Sequence, residues 1–578
     1  MPWRQEERQS EELTVQSQLI KYKQVKEGDG VSMIDKFLLS VNPGAAARRA
    51  ESRLRYEKMN MQIAAAQGVS NTIADFASNA GSGVTNYGYS HGAASKRKTW
   101  AAKWNTSSGS AKRDIEENRK TLRERSRDLA MNAPLGAAAI NSTRTSCVGS
   151  GLVPAPKLDY DFLGISKEEA KEIERQIKRE WSLWADSTLC DNNDQNNFYE
   201  LQQIAFNDWL RNGEEFVLIK YAKKPDPNMP YQLRIKLVEA DRVRSPDDYS
   251  GDYSTISDRI TPDGNRIMNG VEIDKEGRVI AYHIASFYPG EYLTGDRKWT
   301  RVPRRGKQTG NPNILHIFNA DRADQYRGVP FLAPVIESLK QLTRYTDAEI
   351  MAALINAMFT IFITTENGEG VGYGGEDGDL EEEDNQKDDD IVLGSGTINE
   401  LRTGEKVQTV ESTHPSGNFD QFVNAFCNHI GAALEIAPEV LLKKFSKSFS
   451  ASKGALNETW KSFKMRRKWF VDDFCKQVYE LWFSEAVSKG RIPAPGYFNN
   501  PLIKAAYLNA KWNGPAQGQL NPEQEVAASI LKIENGFSTH EDECAAMNGS
   551  SFEDNVRALT TENEQLFLAN EKIEKTEE

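Results

Sequence analysis

Three observations predict an α+β fold for this chain of 578 residues. Apolar and polar residues alternate over residues 215–221, 232–238 and 279–284, which is typical of half-buried strands. After residue 330 the apolar residues recur at near-heptad spacing instead, which predicts long helices. Apolar residues make up 39% of the chain and aromatic residues 9%, enough to fill the cores of roughly three to five domains.

The N-terminal part predicts little structure of its own. Residues 1–45 are interpreted as a disordered extension, because residues 1–32 lack apolar periodicity. Met33 is followed at once by apolar residues, so we hypothesise that translation begins there. No apolar segment typical of a secretory signal is present in the first thirty residues. Residues 40–112 are rich in Ala, Gly, Ser and Asn, which predicts an extended arm that lies on neighbouring subunits.

Three helices are predicted in the first half of the chain. One covers residues 113–131. The next begins at Ser166, where Glu169 completes the spacing of a capping box. A third covers residues 199–211 and stops at Gly213. The second helix carries two tryptophans that we place in the core, Trp181 and Trp184.

A long apolar helix is predicted over residues 331–365. Two opposite faces of it are apolar, so it must pack between several neighbours, and oligomer packing is one way to achieve this. A second helix returns over residues 413–436, so the segment between them forms a small β module at the tip of a helical hairpin. Strands are predicted there at residues 391–393, 397–401 and 406–410.

The last part of the sequence predicts a loop, a long helix and a tail. Residues 441–454 are rich in Lys, Ser and Phe, which indicates a loop. An amphipathic helix is predicted over residues 455–490. After residue 522 the helices are predicted to give way to a disordered end, and Ser538 with Glu541 repeats the spacing of a capping box.

Charge is strongly segregated along the chain. From Glu366 to Asp390 there are twelve carboxylates and one lysine, a net charge of −11, close to the −12 of the whole protein. From Lys443 to Lys468 there are nine Lys or Arg residues and one acid, a net charge of +8. Two such blocks indicate that a polyanion or a charged surface is bound at one place and repelled at another.

The basic block begins with lysines interleaved with Phe445 and Phe449, a mixture able to contact phosphates without reading bases. A solvated loop explains the same pattern equally well. Farther along, Arg466, Arg467 and Lys468 lie on the flank of the predicted helix and are interpreted as surface or inter-subunit charges. The lysines of the first group are Lys443, Lys444, Lys447 and Lys453.

The residue patterns of an enzyme or a metalloprotein are missing from the sequence. It has no G-x-x-x-x-G-K-[ST], G-x-S-x-G or H-E-x-x-H pattern. Its six histidines lack metal-ligand spacing, and its five cysteines are scattered without a C-x-x-C pair. The acidic block lacks the order of a calcium-binding loop. Residues 350–365, the longest uncharged apolar run, are too few to cross a bilayer. We therefore predict no catalytic activity, cofactor, metal or membrane partner.

The order of these elements and several motifs resemble the portal proteins of tailed bacteriophages, and specifically the lambda-type portal family. The resemblance extends from about residue 40 to 540. The motifs are Asn132-Ala133-Pro134, Val148-Gly149-Ser150-Gly151-Leu152, Asn212-Gly213-Glu214, Val238-Glu239-Ala240-Asp241-Arg242, Asn269-Gly270-Val271-Glu272, Tyr326-Arg327-Gly328-Val329-Pro330-Phe331, Tyr345-Thr346-Asp347-Ala348-Glu349 and Ser450-Ala451-Ser452-Lys453.

The resemblance implies a homo-oligomeric ring, usually of twelve copies, at one vertex of the virion capsid. Terminase would pump double-stranded DNA through the ring during assembly in the host cytoplasm, and the DNA would later leave toward the tail. It also implies a division of the chain into regions. These are the wing (46–330 and 455–490), the stem (331–365 and 413–436), the clip (366–412), the tunnel loop (437–454) and the crown with a disordered tail (491–578).

The resemblance also implies roles for the charged residues. Lys443, Lys444, Lys447 and Lys453 would contact the DNA backbone independently of sequence. The acidic loop would line the channel or dock the large terminase subunit, head-completion and tail connector proteins, with the major capsid protein as a further partner. A capsid protease could trim the N-terminal arm. The acidic residues are Glu376, Asp377, Asp379, Glu381, Glu382, Glu383, Asp384, Asp388, Asp389 and Asp390.

Two other classes of protein stay open on the sequence alone. One is a nucleic-acid enzyme of the packaging machinery, which the missing nucleotide and metal motifs disfavour. The other is a capsid scaffold or assembly protein that makes no direct contact with DNA.

Overall fold

The computed structural model describes residues 108–224, 226–246, 259–290, 297–358, 362–365, 405–408, 419–445, 448–519 and 521–577. The predictions for the N-terminal extension, its arm and Met33 lie outside this part of the chain. So do the acidic residues from Glu376 to Asp390, Lys447 and the strands predicted at 391–393 and 397–401.

Helices dominate the first part of the described chain. Pro134 occupies the first turn of a helix that the sequence analysis missed, because proline tolerates this position, where its absent N–H is not needed. The elements are a π-helical turn (Lys112–Glu116), α1 (Arg119–Asn132), α2 (Pro134–Cys147), β1 (Val153–Pro156), α3 (Tyr160–Leu163), α4 (Lys167–Ala185) and α5 (Phe198–Asn212).

The predicted start of α4 and the predicted end of α5 are confirmed by their caps. The Ser166 hydroxyl accepts a hydrogen bond from the Glu169 N–H at 3.1 Å, at the start of α4. At the start of α5, Asn197 and Glu200 form a reciprocal capping box. Gly213 ends α5 with a φ of 87°, a left-handed conformation that suits glycine.

Two antiparallel sheets follow, and the predicted strands at 215–221, 232–238 and 279–284 are confirmed. The first sheet has the order β3-β2-β9 and the second the order β4-β5-β6-β7-β8. The strands are β2 (Glu214–Tyr221), β3 (Leu233–Glu239), β4 (Arg259–Ile260), β5 (Arg266–Met268), β6 (Val271–Ile273), β7 (Val279–Ala285), β8 (Trp299–Pro303) and β9 (Ile314–Phe318).

The remaining elements are helical except for three short strands. They are α6 (Ile336–Met358), β10 (Phe362–Thr365), β11 (Glu405–Gln408), α7 (Phe419–Leu434), α8 (Pro438–Leu441), α9 (Phe449–Phe470), a π-helical segment (Val471–Cys475), α10 (Lys476–Ser488), α11 (Pro501–Leu508), β12 (Ala510–Asn513), α12 (Pro522–Glu534), α13 (His540–Met547) and α14 (Phe552–Glu577).

Helix α6 is shorter than predicted. It ends at Met358, and residues 362–365 form a strand that pairs antiparallel with β11. The prediction of one helix over 331–365 was wrong at its end, because Ile363, Thr364 and Thr365 are β-branched and favour a strand once a partner is available. The strand predicted at 406–410 is confirmed as β11.

Two other boundaries differ from the predictions. Residues 449–454 belong to helix α9 rather than to a loop, and Lys453 in this segment pairs with Glu525 at 2.7 Å. The tail predicted to be disordered is helical as α14 up to Glu577. The cap of α13 is Thr539, whose hydroxyl accepts from the Asp542 N–H, and not Ser538.

The main core lies between α4, α5 and the helical run from α9 to α10. Trp181 and Trp184 are buried there, as predicted, and the Trp181 and Trp482 rings lie edge to face with centroids 5.0 Å apart. Aromatic residues dominate this core, and such edge-to-face pairs add about 0.5–1.5 kcal/mol each beyond the burial of apolar area. The result is a mixed helix and strand fold, which confirms the predicted α+β class.

Candidate functional site

A buried cluster of charges lies where the chain leaves the β2 sheet for helix α6. The Glu214 carboxylate is fully buried and is contacted by the guanidinium groups of Arg119, Arg123 and Arg327 at 2.8, 2.7 and 2.7 Å. Arg119 and Arg123 are one turn apart on α1, and Glu214 is the first residue of β2. The cluster therefore joins α1, β2 and the segment before α6 at one point.

Several motifs quoted for the family resemblance meet in this cluster. Arg327 also donates hydrogen bonds to the carbonyl oxygens of Val243 at 2.8 Å and Ala240 at 3.0 Å, and to that of Asn269. The Gly328 N–H donates to Glu214 at 2.9 Å. A Cβ on Gly328 would lie 1.9 Å from the Gly213 carbonyl oxygen, so this close approach of the two backbones requires glycine. The spacing of these residues along the chain does not reveal the contact, so the sequence alone indicated no role for them.

The charges in the cluster are balanced by one another. Burial alone would raise the pKa of Glu214, but the Arg327 and Arg119 guanidinium groups and the His316 hydrogen bond hold it well below its usual range. Burial lowers the pKa of His316 to about 4, so this imidazole is neutral at pH 7, with its Nε2 3.0 Å from Glu214. Glu214 is thus an ionised carboxylate that fixes three buried arginines.

The α6–α7 hairpin has a covered base and an uncovered apolar face. At the base, Leu339 and Leu342 of α6 are buried, as are Ile430 and Leu434 of α7. Farther out, Tyr345 packs on Phe422 with ring centroids 4.6 Å apart. Beyond that point three apolar side chains of α6 are more than half exposed: Ile350 at 61%, Met351 at 58% and Leu354 at 53%.

The base of α6 is covered by its own chain, but this face is not, so packing of α6 between several neighbours stays a prediction. Ile350, Met351 and Leu354 are one turn or one residue apart, so they form one stripe on the helix. Single exposed apolar residues are ordinary, but a contiguous patch is typical of an interaction surface. We call Ile350, Met351 and Leu354 the α6 apolar stripe.

The lysine segment of residues 443–445 is exposed and follows a buried anchor. Leu441 is buried, and the Lys444 N–H donates to the Glu439 carbonyl oxygen at 3.1 Å, which ends the short helix α8. Lys443 has a φ of 53°, and Phe445 is half exposed. Within the described residues, neither the Lys443 nor the Lys444 ammonium group has a hydrogen-bond or ion-pair partner.

Other predicted basic residues are placed differently. Lys453 lies on α9 rather than in a loop, and its ammonium group pairs with Glu525 at 2.7 Å. Arg466 pairs with Glu435 at 3.0 Å. Arg467 is half-buried and donates to the carbonyl oxygens of Cys147, Ser146 and Pro515. Lys468 is exposed and pairs with Asp472.

A group of three carboxylates lies at the other side of β2. Glu215 is buried and faces Glu239 across the β2–β3 pair, and Asp208 of α5 is near both. Burial and the Glu239 carboxylate raise the pKa of Asp208 to about 7, against the opposing effect of Arg127 and Arg211. Burial raises the pKa of Glu215 well above its usual range.

Because of Asp208, we expect the fold to become less stable as pH rises. Between about pH 4 and 7 the unfolded chain has released the Asp208 proton while the folded chain retains it, so the free energy of unfolding falls through this window and then levels off. Asp208→Asn removes this term, and we expect it to raise stability at pH 8 by about 1–2 kcal/mol relative to the unchanged chain, with little effect at pH 4. Thermal unfolding at several pH values measures this change in stability.

The control is Asp161→Asn, which removes an exposed carboxylate and should leave the difference in stability between pH 4 and pH 8 unchanged. A gain in stability at pH 8 equal to that of Asp208→Asn would contradict the assignment to Asp208.

No set of three or more His, Cys, Asp or Glu side chains is placed to hold a metal ion in the described part of the chain. The helices of that part also include none whose length and apolar character suit a bilayer span.

The fold and the hairpin define a class first: an α+β protein with a helical hairpin that carries an exposed apolar stripe. Residues 97–467, more than half of the chain, match the family described as phage portal protein, lambda family. The chain belongs to this family, as its motifs predicted.

Individual relatives agree with this assignment. The chain is 23% identical to the portal protein of Escherichia phage N15, over 76% of this chain and 84% of that protein. It is also 23% identical to portal protein B of Escherichia phage lambda, over 76% and 83% of the two chains. A probable portal protein of Halomonas phage phiHAP-1 is 22% identical over 75% and 78%.

Among solved structures, the chain is similar to one in the neck of a native gene transfer agent particle computed with C12 symmetry. The TM-score is 0.36 and the identity 13%, over 75% of this chain and 94% of that chain. A chain in the virion of the native gene transfer agent particle gives the same TM-score at 14% identity.

Proposed function

We propose that copies of this chain assemble into a closed ring, of twelve copies as is usual for the family, and that the ring is the DNA channel at one capsid vertex. Terminase would drive double-stranded DNA inward through it, and the DNA would leave through it toward the tail. The observation that carries the proposal is the α6 apolar stripe, which has no partner among the described residues of its own chain.

Ring formation follows from the position of this stripe. A head-to-tail contact closes into a ring when the rotation between neighbours divides a full turn, and each copy then offers two different surfaces. The α6 apolar stripe is one such surface. The C-terminal helices supply further exposed apolar residues for a neighbour. These are Val526, Ile530, Leu531, Val556 and Leu559.

In this assembly the regions of the chain take the roles that the resemblance implies. Helices α6 and α7 would be the stem, and the residues between them, including β10 and β11, the clip. Residues 46–330 and the α9–α10 run would be the wing, and residues 491–578 the crown. The acidic residues 376–390 would line the clip or dock terminase, head-completion and tail connector proteins.

The lysine segment is the proposed contact with moving DNA. The Lys443 and Lys444 ammonium groups are exposed and without a partner in the described chain, so they are available to phosphate. Lysine acts as a point charge on a flexible stem, whereas arginine binds phosphate in a fixed two-point geometry. A duplex that must slide needs contacts of the first kind, which are independent of sequence and weakened by salt.

Reversal of these two charges tests the DNA contact. Lys443→Glu with Lys444→Glu should reduce the binding of a 30-base-pair duplex at 100 mM salt by at least tenfold and flatten the dependence of affinity on salt, because each copy loses two phosphate contacts. Fluorescence anisotropy of the labelled duplex measures both, with the assembled protein at each salt concentration.

The matched control reverses two exposed lysines of the β region, Lys275→Glu with Lys307→Glu, at the same change in net charge. It should bind DNA as the unchanged protein does. Equal losses in both variants would mean that net charge alone governs binding. If neither variant loses affinity while the rings persist, a scaffold role without this DNA contact becomes the better account.

A further inference from the structure

We propose that a basic groove beside helices α9, α10 and α11 is a second binding site for the phosphate backbone of duplex DNA, separate from the Lys443–Lys444 segment. The inference deepens the proposed function, which supplies DNA as the polyanion. The groove has a volume of about 590 Å³. Its first lysine, Lys464, is about 22 Å along the helix axis from the start of α9, at 1.5 Å per residue.

The shape of the groove comes from the continuous helical run. Lys464, Lys468 and Lys476 stand at intervals of four and eight residues, so they line one face of α9 and α10 across the π-helical segment between them. Lys504 of α11 lies on the opposite wall, and Trp512 contributes an apolar surface. The row of three lysines extends over about 18 Å.

The groove carries an excess of positive charge after its internal ion pairs are counted. Lys468 pairs with Asp472 at 2.6 Å and Lys504 with Glu480 at 2.6 Å. In the described part of the chain, the ammonium groups of Lys464 and Lys476 have no such partner.

Arg467 adds a fixed positive charge to the same wall. Its guanidinium group donates to three carbonyl oxygens, of Cys147 and Ser146 at 2.8 Å and of Pro515 at 2.7 Å. Among the described residues no carboxylate pairs with it, so its charge is oriented but not neutralised. Five cations and two carboxylates therefore line the groove, a net charge of +3.

A phosphate backbone fits this arrangement better than a folded acidic partner. A duplex strand presents a phosphate every 3.4 Å along its axis, so a straight row of about 18 Å spans roughly five phosphates. The unpaired groups are lysines, which contact phosphates without requiring one orientation. The neighbouring cavity shares Lys464 and Arg467 with the groove, and its two other lysines are paired, Lys453 with Glu525 and Lys532 with Glu543.

Charge reversal at the two unpaired lysines tests this site. Lys464→Glu with Lys476→Glu should weaken the binding of the 30-base-pair duplex at 100 mM salt by at least tenfold and reduce the salt dependence. Lys464→Gln with Lys476→Gln removes attraction without adding repulsion, and should give a smaller loss of about threefold to tenfold. Because both side chains are exposed and unpaired, folding and oligomeric state, checked by thermal unfolding and mass photometry, should not change.

The controls separate this site from the proposed channel contact. Lys275→Glu with Lys307→Glu should leave affinity unchanged, and combining both glutamate pairs, at 443/444 and 464/476, should weaken binding more than either pair alone. Full affinity in the 464/476 variant with loss in the 443/444 variant would overturn this inference and leave the proposed function standing. No DNA binding by the unchanged ring would overturn both. Polyglutamate, at the same charge concentration as the DNA, tests an acidic protein as the ligand. If it competes with DNA for the unchanged protein but not for the 464/476 variant, the DNA assignment is overturned in favour of an acidic protein partner.

Discussion

Replacement of Glu214 by glutamine is expected to destabilise the fold by about 3–5 kcal/mol. The carboxylate is fully buried, and its charge offsets that of Arg119, Arg123 and Arg327, which are themselves buried. Without it these arginines face one another in a medium that screens charge poorly, and removal of one partner from a buried ion pair is far more costly than loss of a surface pair. Chemical denaturation of the purified protein measures the change.

An exposed glutamate of the second sheet provides the control. Glu276, between β6 and β7, has a side chain that is 69% exposed and lies 2.7 Å from Arg278. Glu276→Gln should change stability by less than about 1 kcal/mol, as for an exposed pair. Because the cluster also holds the segment before α6, Glu214→Gln should speed limited proteolysis near residue 330. A loss at Glu214 no larger than that at Glu276 would show that the cluster does not stabilise the fold.

Lysines in the α6 apolar stripe are expected to abolish ring assembly while the subunit stays folded. Ile350→Lys with Leu354→Lys places two charges where the proposed neighbour would cover apolar side chains, and each buried, unpaired charge costs several kcal/mol in every interface of the ring. Because both residues are exposed in the single chain, its own stability should change little. Negative-stain microscopy and mass photometry distinguish rings from monomers.

The matched control changes two apolar residues outside the hairpin that are somewhat more exposed than Ile350 and Leu354. Ile260→Lys with Leu502→Lys makes the same chemical change at residues 74% and 66% exposed, outside the hairpin. Rings should form as before. Intact rings in the variant with Ile350→Lys and Leu354→Lys would mean that this stripe is not a subunit interface. Monomers in every sample, including the protein without substitutions, would contradict the ring itself.

Local patterns predicted a large part of the fold because they depend on neighbours a few residues away. Ser166 and Gly213 mark helix ends through the backbone of one turn, and the pattern of residues 215–221 located the strand β2, although its residues 214–219 are buried on both faces. The family motifs were equally readable. The contacts between these motifs could not be read from the sequence, since Glu214 and Arg327 are 113 residues apart and meet only after the β2 sheet and α1 have packed.

The errors lie where distant contacts outweigh local preference. The serine-rich start of α9 predicted a loop, yet it is helical, and Lys453 within it pairs with Glu525, while Thr459 and Ser462 farther along α9 contact the segment after α7. Residues 362–365 are a strand because β11 lies beside them. Distant contacts also separate the basic residues of the block 443–468. Lys453 and Arg467 have partners within the chain, whereas Lys443 and Lys444 are exposed.

The sequence by itself determined the α+β class, the helical hairpin, the charge segregation and the family, because periodicity, capping and motifs are properties of consecutive residues. Only the tertiary structure decided which charges are neutralised, which apolar residues stay uncovered and which lysines have no partner among the described residues. Those properties depend on groups that are far apart in the chain and are brought within a few ångströms by packing, where a missing partner costs much more free energy than any local preference supplies.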